Sequence, residues 1–196
     1  MSAEQVLQTL WQYSDWNAEA LQEARFSGGR EQLPSTYQVG DLACATIAAQ
    51  ALAAAQIWQQ RTGETQLIDV DRRHALAMFR SERYLRLNGQ PPADPWSPIA
   101  GYYQAGDGRW LQLHTNFPHH SAGVTRVLNC QADRTSVAQA ISHWNAATLD
   151  ATLAEQGLCA AMIRTYDEWR AHPQAKAIAA LPLFDIEKID EAPAVS

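Results

Sequence analysis

Cysteine is scarce in this sequence and forms no pattern. Three of the 196 residues are cysteines, Cys44, Cys130 and Cys159, and they lie far apart among apolar neighbours. An odd number of widely spaced cysteines does not build the disulfide framework of a small secreted domain. We therefore expect reduced thiols in the core of a cytoplasmic protein.

Clustered basic charge is lacking as well. Lysine and arginine together number 15, against 21 aspartates and glutamates, which gives a formal net charge of -6. Nucleic-acid surfaces need clustered basic residues, so we expect no nucleic-acid partner. The densest positive segment consists of Arg72, Arg73, Arg80, Arg83 and Arg86. A solvated helix face explains these arginines more simply than a site for phosphates or an acidic partner.

The sequence lacks a recognisable secretion signal, because residues 1–10 carry no basic start. Polar residues interrupt the long alanine-rich run of residues 42–58 at Thr46, Gln50 and Gln56. We expect this run to be too weakly apolar to cross a bilayer. These features predict a cytoplasmic protein without a membrane partner.

Fingerprints of nucleotide, hydrolase and metal sites are missing too. Gly28 and Gly29 have no predicted strand before them and lie outside any G-x-G-x-x-G or Walker pattern, so we interpret them as a hinge. No G-x-S-x-G segment supports a serine hydrolase. His114, His119 and His120 have no carboxylate or cysteine at ligand spacing, and we expect no metal site.

An alanine-rich segment between Gly40 and Val70 is the main feature that is present. Asp41 stands where a polar segment gives way to the apolar run, which is a favoured N-cap position, so we predict a helix that begins at Asp41. This helix has almost no polar face and should be buried. Gly63 is placed to end it, and residues 66–70 should form a strand.

The remaining pattern predicts an α/β chain with a helical first half. Residues 2–26 indicate one bent helix or two short ones, and residues 72–87 a helix with a buried apolar stripe. A proline-rich segment at 90–98 marks a domain boundary. We assign residues 1–33 to an N-terminal helical segment and linker, 34–94 to a large-domain portion, 95–190 to a small α+β domain and 191–196 to a tail.

The second half mixes strands and helices, as an α+β domain does. Residues 101–104 and 109–114 predict a β-hairpin around a glycine-containing turn. Thr165 and Glu168 form a capping box at a helix start. The other predicted elements are helices at 119–128, 134–144 and 147–156 and strands at 158–163 and 182–189.

Three segments resemble one protein family, in the order in which that family has them. They are G-D before the alanine-rich helix with R-T-G-x-x-Q-x-I-D-V after it, S-P-I-A-G-Y-Y-Q-A-G-D-G-R-W-L-Q-L-H-T-N-F-P-H-H-S-A-G-V-T-R-V-L at 97–128, and G-L-C-A-A-M-I-R-T-Y-D-E-W-R-A-H-P at 157–173. This ordered set resembles the family III (CaiB/BaiF) CoA-transferases, which include formyl-CoA transferase, carnitine CoA-transferase and the α-methylacyl-CoA racemases. The resemblance implies a helical large-domain portion followed by a small α+β domain.

The resemblance also implies that Asp41 is a catalytic nucleophile. An aspartate of this family takes the acyl group of an acyl-CoA as a mixed anhydride, becomes an aspartyl-CoA thioester and passes CoA to a carboxylic acid. Asp41 matches that aspartate by its place directly before the alanine-rich helix. The coenzyme A thioester is then a substrate, and no permanently bound cofactor is implied. The alternative is that Asp41 is an ordinary N-cap.

The sequence departs from the family before Asp41. Only 40 residues precede it, whereas the family has about half of its length there, including a Rossmann-like region that holds most CoA contacts. We expect no unit of strand, glycine-rich turn and helix in these residues, and therefore no CoA-binding half. The family's glycine-rich loop has no counterpart, and no histidine precedes Asp41 for the two-base proton transfer of the racemases.

These departures leave several interpretations open. The chain is one subunit of a two-chain enzyme, a portion of a longer or rearranged polypeptide, or a derivative that no longer catalyses. We expect CoA transfer from an acyl-CoA to a carboxylic acid, with the CoA-binding half supplied by another chain or segment in a homo- or hetero-oligomer. The competing interpretations are a non-catalytic binding or assembly subunit and an isolated CoA-independent domain.

Overall fold

The computed structural model describes residues 1–14, 16–29 and 33–191 of the chain. These residues form two compact units. The first combines Met1–Pro92 with the described part of Leu181–Ser196, and the second is Ala93–Ala180. Helices surround a small parallel sheet in the first unit and a small antiparallel sheet in the second. The mixed α/β fold class predicted from the sequence is confirmed.

The first unit begins with helix α1 (Ala3–Trp11). Ser2 and Gln5 form a capping box, in which each side chain accepts a hydrogen bond from the other residue's backbone N–H. A 3₁₀ helix (Ala18–Glu23) follows and leads into strand β1 (Ala24–Ser27). The sequence predicts only helix in this segment, and that prediction is wrong at β1, because four residues are too few to show strand alternation clearly.

Helix α2 (Val39–Thr62) is the long helix of the first unit. Its small side chains allow close packing by the neighbouring elements α1 and β1. The buried residues of α2 are Gly40, Ala43, Cys44, Ala45, Ala48, Leu52 and Ala55. Gly63 ends the helix with a φ of 78°, and its N–H donates to the Gln59 carbonyl at 2.8 Å. The predicted helix end is therefore confirmed.

The start of α2 differs from the prediction. The helix begins at Val39, and Asp41 lies within its first turn instead of at the N-cap. The physical reason is that the carboxylate of Asp41 has another partner: Arg72 Nη1 donates a hydrogen bond to Asp41 Oδ1 at 2.7 Å. The prediction that Asp41 caps the helix is wrong, whereas its place at the helix start is correct.

By length and composition alone, α2 is apolar enough to cross a membrane. The sequence-based expectation that residues 42–58 are too weakly apolar to cross a bilayer is therefore wrong as far as composition is concerned. A helix in the core of a soluble protein passes the same test. In α2, the side chains of Ala43, Ala48 and Leu52 are completely buried. Packing inside the first unit accounts for part of this composition. Leu42, Ile57 and Trp58 are exposed, so the prediction of a helix buried on all sides is wrong at these residues.

Strand β2 (Ile68–Asp71) pairs in parallel with β1, with Ala24 opposite Ile68 and Ser27 opposite Asp71. The connection between these two parallel strands is α2, so β1, α2 and β2 form a βαβ unit. Gly28, with a φ of 89°, follows β1 directly. Two expectations are corrected here: a strand does precede the two glycines, and a strand, glycine turn and helix do occur before and around Asp41.

Helix α3 (Arg72–Met78) begins where β2 ends and is shorter than predicted. The Asp71 carboxylate caps it by accepting a hydrogen bond from the His74 N–H at 2.9 Å. Only a short 3₁₀ turn follows, and Tyr84 and Leu87 are exposed although the sequence places them in a buried stripe. Without a surface to pack against, these residues gain too little to continue the helix.

The second unit is a three-stranded antiparallel sheet with helices. Strand β3 (Gly101–Gln104) pairs with β4 (Trp110–Leu113), which pairs with β5 (Ala160–Met162). Its helices are α4 (Pro118–Leu128), α5 (Arg134–Ile141), α6 (Ala146–Glu155), α7 (Tyr166–Ala171) and α8 (Pro173–Ile178). The hairpin, the helices and the capping box at Thr165 are confirmed. The core of the unit includes Ile99, Leu111, Leu113, Val137, Ile141, Leu149 and Leu153.

The strand predicted at 182–189 is wrong, because the described residues after Leu181 are neither strand nor helix. This segment belongs to the first unit. The Phe184 ring packs on Tyr13 with 4.4 Å between ring centroids, and the Leu183 N–H donates to the Tyr13 hydroxyl at 3.4 Å. The two compact units are defined by contacts and need not fold independently. The predicted domain limits, 1–33, 34–94, 95–190 and 191–196, therefore stay predictions.

Candidate active site

The candidate site lies at the carboxyl ends of β1 and β2, where the first turn of α2 is also found. The two strands are parallel, so their carboxyl ends share one edge of the sheet. Arg72 follows β2 directly, and Asp41 lies in the first turn of α2. Crevices at the carboxyl edge of parallel strands are the usual place for ligands in α/β folds.

Asp41 and Arg72 form an ion pair in this position. Arg72 Nη1 lies 2.7 Å from Asp41 Oδ1, and the two side chains are 13% exposed for Arg72 and 18% for Asp41. No described residue donates a hydrogen bond to the other carboxylate oxygen, Oδ2. The carboxylate is therefore fixed through one oxygen and keeps some access to solvent.

Gly40 leaves room for the Arg72 guanidinium in this position. A Cβ atom at this position would lie 2.5 Å from Arg72 Nη2 and 2.8 Å from Arg72 Cζ. The guanidinium thus rests directly against the backbone of the first helical turn, in space that any larger residue would fill. The dipeptide Gly40-Asp41 supplies both the room for the guanidinium and the anion that pairs with it.

The start of α2 also presents backbone donors. The N–H groups of Gly40 and Asp41 have no hydrogen-bond acceptor among the described residues. Such groups at a helix N-terminus carry the positive end of the helix dipole and interact favourably with anions. They are therefore suited to bind an anion beside Asp41.

Cys44 lies one turn after Asp41 and is 1% exposed. Burial raises the pKa of the Cys44 thiol, while the nearby Arg72 charge lowers it and the Asp41 charge raises it further. The thiol is therefore kept neutral inside the core. We assign it a packing role, as expected for a core cysteine. The same expectation is wrong for Cys159, which is exposed, and holds only in part for Cys130, which is half-buried.

A second group of polar side chains lies along the same edge of the sheet. Ser27 Oγ donates to Asp69 Oδ1 at 2.6 Å across the two strands. The hydrogen bond from the His74 N–H lowers the pKa of Asp71 below its ordinary value. A cavity of about 390 Å³ is lined by Ser27, Asp69, Asp71, His74 and apolar residues of α2 and α3. Asp41 does not line this cavity.

The structure separates the arginines that the sequence groups together. Arg72 pairs with Asp41, whereas Arg80 contacts Glu82 at 3.3 Å and Arg86 contacts the backbone carbonyls of residues 83 and 85. Arg73 is exposed. The prediction of a solvated face therefore describes most of the segment but misses Arg72. Its position directly after a strand was the signal that could have found it.

The three histidines singled out in the sequence lie in an aromatic group of the second unit. The rings of His119 and His120 are 4.1 Å apart between centroids, and Phe117 lies beside both and beside His114. The described part of the chain contains no group of three or more histidine, cysteine, aspartate or glutamate side chains arranged for a metal ion.

These features define a mixed α/β protein with a paired carboxylate at the carboxyl ends of parallel strands. The chain belongs to CoA-transferase family III, whose family model matches residues 23–194. A comparison with curated proteins finds no match.

The fold is shared with solved proteins of low sequence identity. The orthorhombic form of Rv3272 from Mycobacterium tuberculosis is 16% identical over 91% of this chain and 51% of its own, with a TM-score of 0.61. A second structure of Rv3272, titled a hypothetical protein, is 17% identical over 82% and 49%, with a TM-score of 0.59. A CaiB/BaiF family protein from Brucella suis is 19% identical over 78% and 47%, with a TM-score of 0.53. The chain thus spans about half the length of these proteins.

Proposed function

We propose that this chain forms part of a CoA-transferase that moves CoA from an acyl-CoA to a carboxylic acid, with Asp41 as the nucleophile. Membership of CoA-transferase family III supports the reaction class. The observation that carries the proposal is the geometry of Asp41: one carboxylate oxygen is held by Arg72, and the other has no hydrogen-bond donor among the described residues.

The reaction follows from a carboxylate held in this way. Asp41 Oδ2 attacks the thioester carbonyl, a C–O bond forms, the C–S bond breaks, and CoA leaves as a thiolate. The thiolate then attacks the Asp41 carbonyl carbon of the mixed anhydride, which gives an aspartyl-CoA thioester and releases the first acid. The acceptor carboxylate collects CoA by the same two steps in reverse and restores Asp41. The backbone N–H groups of Gly40 and Asp41 are suited to stabilise the oxyanions.

The assembly that we propose includes a CoA-binding half from another chain or segment, in a homo- or hetero-oligomer of the cytoplasm. The length of the chain relative to the matched structures supports this part of the proposal. Coenzyme A enters only as the thioester substrate, so no permanently bound cofactor takes part.

A non-catalytic assembly subunit is the second candidate function. The observation in its favour is the exposure of large apolar side chains at both ends of α2, where Leu42, Ile57 and Trp58 are 46%, 45% and 44% exposed. Ile57 and Trp58 are adjacent, and neighbouring large apolar side chains that are left exposed are typical of a surface that another polypeptide covers. This candidate predicts binding to a CoA-transferase without chemistry at Asp41.

Trapping of the acyl-enzyme distinguishes the two functions. The native assembly, purified from its source cells, is incubated with acetyl-CoA, butyryl-CoA or succinyl-CoA and then with hydroxylamine, which converts an activated aspartate into a hydroxamate. We expect the hydroxamate at Asp41, detected by peptide mass spectrometry. Asp41→Asn should abolish the label and slow CoA exchange roughly 1,000-fold or more.

Glu64→Gln is the matched control, because Glu64 is an exposed carboxylate just beyond the other end of α2. This variant should label like the wild type. An intact assembly that turns over none of the three thioesters at Asp41 would count for the assembly subunit.

A further inference from the structure

Arg72 has a geometry that folding alone does not require. Its side chain lies against the first turn of α2 and pairs with a carboxylate that is 31 positions earlier in the chain. A partly buried ion pair contributes little net stability, because desolvation of the two charges offsets most of their attraction. The glycine at position 40 is also a poor helix former, yet only glycine leaves room for the guanidinium. Two features that are costly or neutral for folding thus meet at the contact between Arg72 and Asp41.

We propose that Arg72 is a positioning residue for the acyl-transfer step: it holds Asp41 Oδ1 so that Oδ2 is presented to the thioester. This inference rests on the proposed function. A carboxylate on one rotating side chain samples many directions, and an Arg–carboxylate contact restricts it to one. Correct orientation of the attacking atom is among the largest contributions to the rate of such a step.

The charge of Arg72 has a second consequence during the reaction. Acylation of Oδ2 neutralises the Asp41 carboxylate, and the negative charge moves to the departing thiolate. When the thiolate attacks the anhydride, the charge moves to the released acid. At each stage the reacting groups together carry one negative charge, which stays near the Arg72 guanidinium and interacts favourably with it. Arg72 therefore favours retention of the leaving anion until it reacts or is exchanged.

The test uses the native assembly with Arg72→Gln, Arg72→Lys and the control Arg73→Gln. Arg73 is exposed and lies next to Arg72 in α3, so its replacement makes the same charge change without touching Asp41. Release of thiol from acetyl-CoA in the presence of hydroxylamine is followed with a thiol reagent, and the Asp41 hydroxamate is measured by mass spectrometry. Thermal unfolding of each variant is recorded alongside.

Because the hydroxamate consumes Asp41, each site releases one equivalent of thiol. We expect Arg72→Gln to lower the first-order rate constant of this release at saturating acetyl-CoA roughly 100-fold, with the half-saturating acetyl-CoA concentration changed less than about threefold. The rate of thiol release by Arg72→Lys should lie between those of the wild type and Arg72→Gln, roughly tenfold below the wild type. The lysine ammonium keeps the positive charge but lacks the planar guanidinium that can bind both carboxylate oxygens. Added guanidinium ion should restore part of the activity of Arg72→Gln. Arg73→Gln should behave as the wild type and show no response to guanidinium.

Several results would overturn the inference. If Arg72→Gln releases thiol and labels Asp41 as fast as Arg73→Gln does, Arg72 does not position the carboxylate, although the proposed function stands. A folded Arg72→Gln variant that is slow but insensitive to guanidinium would assign Arg72 a purely structural role. If the wild-type assembly carries no label at Asp41, the proposed function fails and the role of Arg72 fails with it.

Discussion

Gly40 connects the folding of α2 with the chemistry proposed for Asp41. It is buried, it lies in the first helical turn, and a Cβ on it would overlap the guanidinium of Arg72. The atoms that would be displaced belong to the far end of a long, flexible side chain. A larger residue at position 40 should therefore move Arg72 away without disrupting the helix.

Gly40→Ala should separate stability from activity. Alanine is the better helix former by about 1 kcal/mol, so the melting temperature should stay the same or rise. The displaced guanidinium leaves Asp41 without its fixed orientation, and hydroxamate formation at Asp41 should fall roughly 10- to 100-fold. Thermal unfolding and hydroxylamine trapping on the same preparation measure both effects.

The double variant Gly40→Ala with Arg72→Gln provides the control. If Gly40→Ala acts only by displacing Arg72, it should add nothing once Arg72 is replaced, since residues in contact give non-additive effects. A further loss of labelling in the double variant would mean that Gly40 has a separate role, for example in exposing its own backbone N–H.

The sequence predicts the residues of this site unequally. Asp41 is found through its family resemblance and its place at the start of an apolar run, both of which are local in the sequence. The partner of Asp41 is not found, because the pairing of residues 41 and 72 depends on the parallel arrangement of two strands. The contact between Gly40 and the Arg72 guanidinium is also long-range, so the sequence shows Gly40 only as a residue next to the predicted helix start.

At the scale of elements, α3 depends on the capping aspartate Asp71. The hydrogen bond from the His74 N–H is the largest cause of the lowered pKa of this carboxyl group. The pKa of Asp71 is lower in the folded state than in the unfolded state, so the ionised carboxylate stabilises the fold. This stabilisation is complete above the ordinary pKa, near 3.8, and is lost as the pH falls through the lower folded-state pKa.

Asp71→Ala should therefore destabilise the protein at neutral pH, and the difference from the wild type should shrink below about pH 4. Denaturant unfolding of both proteins from pH 7 to pH 3 gives the measurement. Glu64→Ala, which removes an exposed carboxylate that caps no helix, is the comparison variant. A difference between Asp71→Ala and the wild type that stays constant with pH would rule out the charged cap as its source.

Elements with strong local signals are the ones that the sequence predicts correctly. The capping box at Thr165, the glycine at the end of α2 and the hairpin of the second unit each depend on residues within a few positions. Strand β1 is missed because its pairing with β2 spans more than forty residues and its own four residues carry little pattern. Residues 182–189 alternate like a strand but have no strand as a neighbour, and their contacts with Tyr13 decide their course instead.

At the scale of the whole molecule, the exposed apolar side chains of α2 and the length of the matched structures lead to the same expectation. Leu42, Ile57 and Trp58 leave large apolar areas exposed in the described part of the first unit. The matched structures are about twice as long as this chain. A polypeptide that covers α2 would bury these side chains, and we propose that it carries the CoA-binding half.

The mass and composition of the native complex test this expectation. Light scattering coupled to gel filtration should give a particle heavier than one copy of the chain, and mass spectrometry should find in it a CoA-binding polypeptide at fixed stoichiometry. Trp58→Glu places a charge in the proposed contact and should release that polypeptide, whereas Gln139→Glu, at an exposed polar site on α5 of the second unit, should have less effect. A stable monomer that binds no acyl-CoA would instead favour an isolated domain independent of CoA, because such a domain forms no complex through α2.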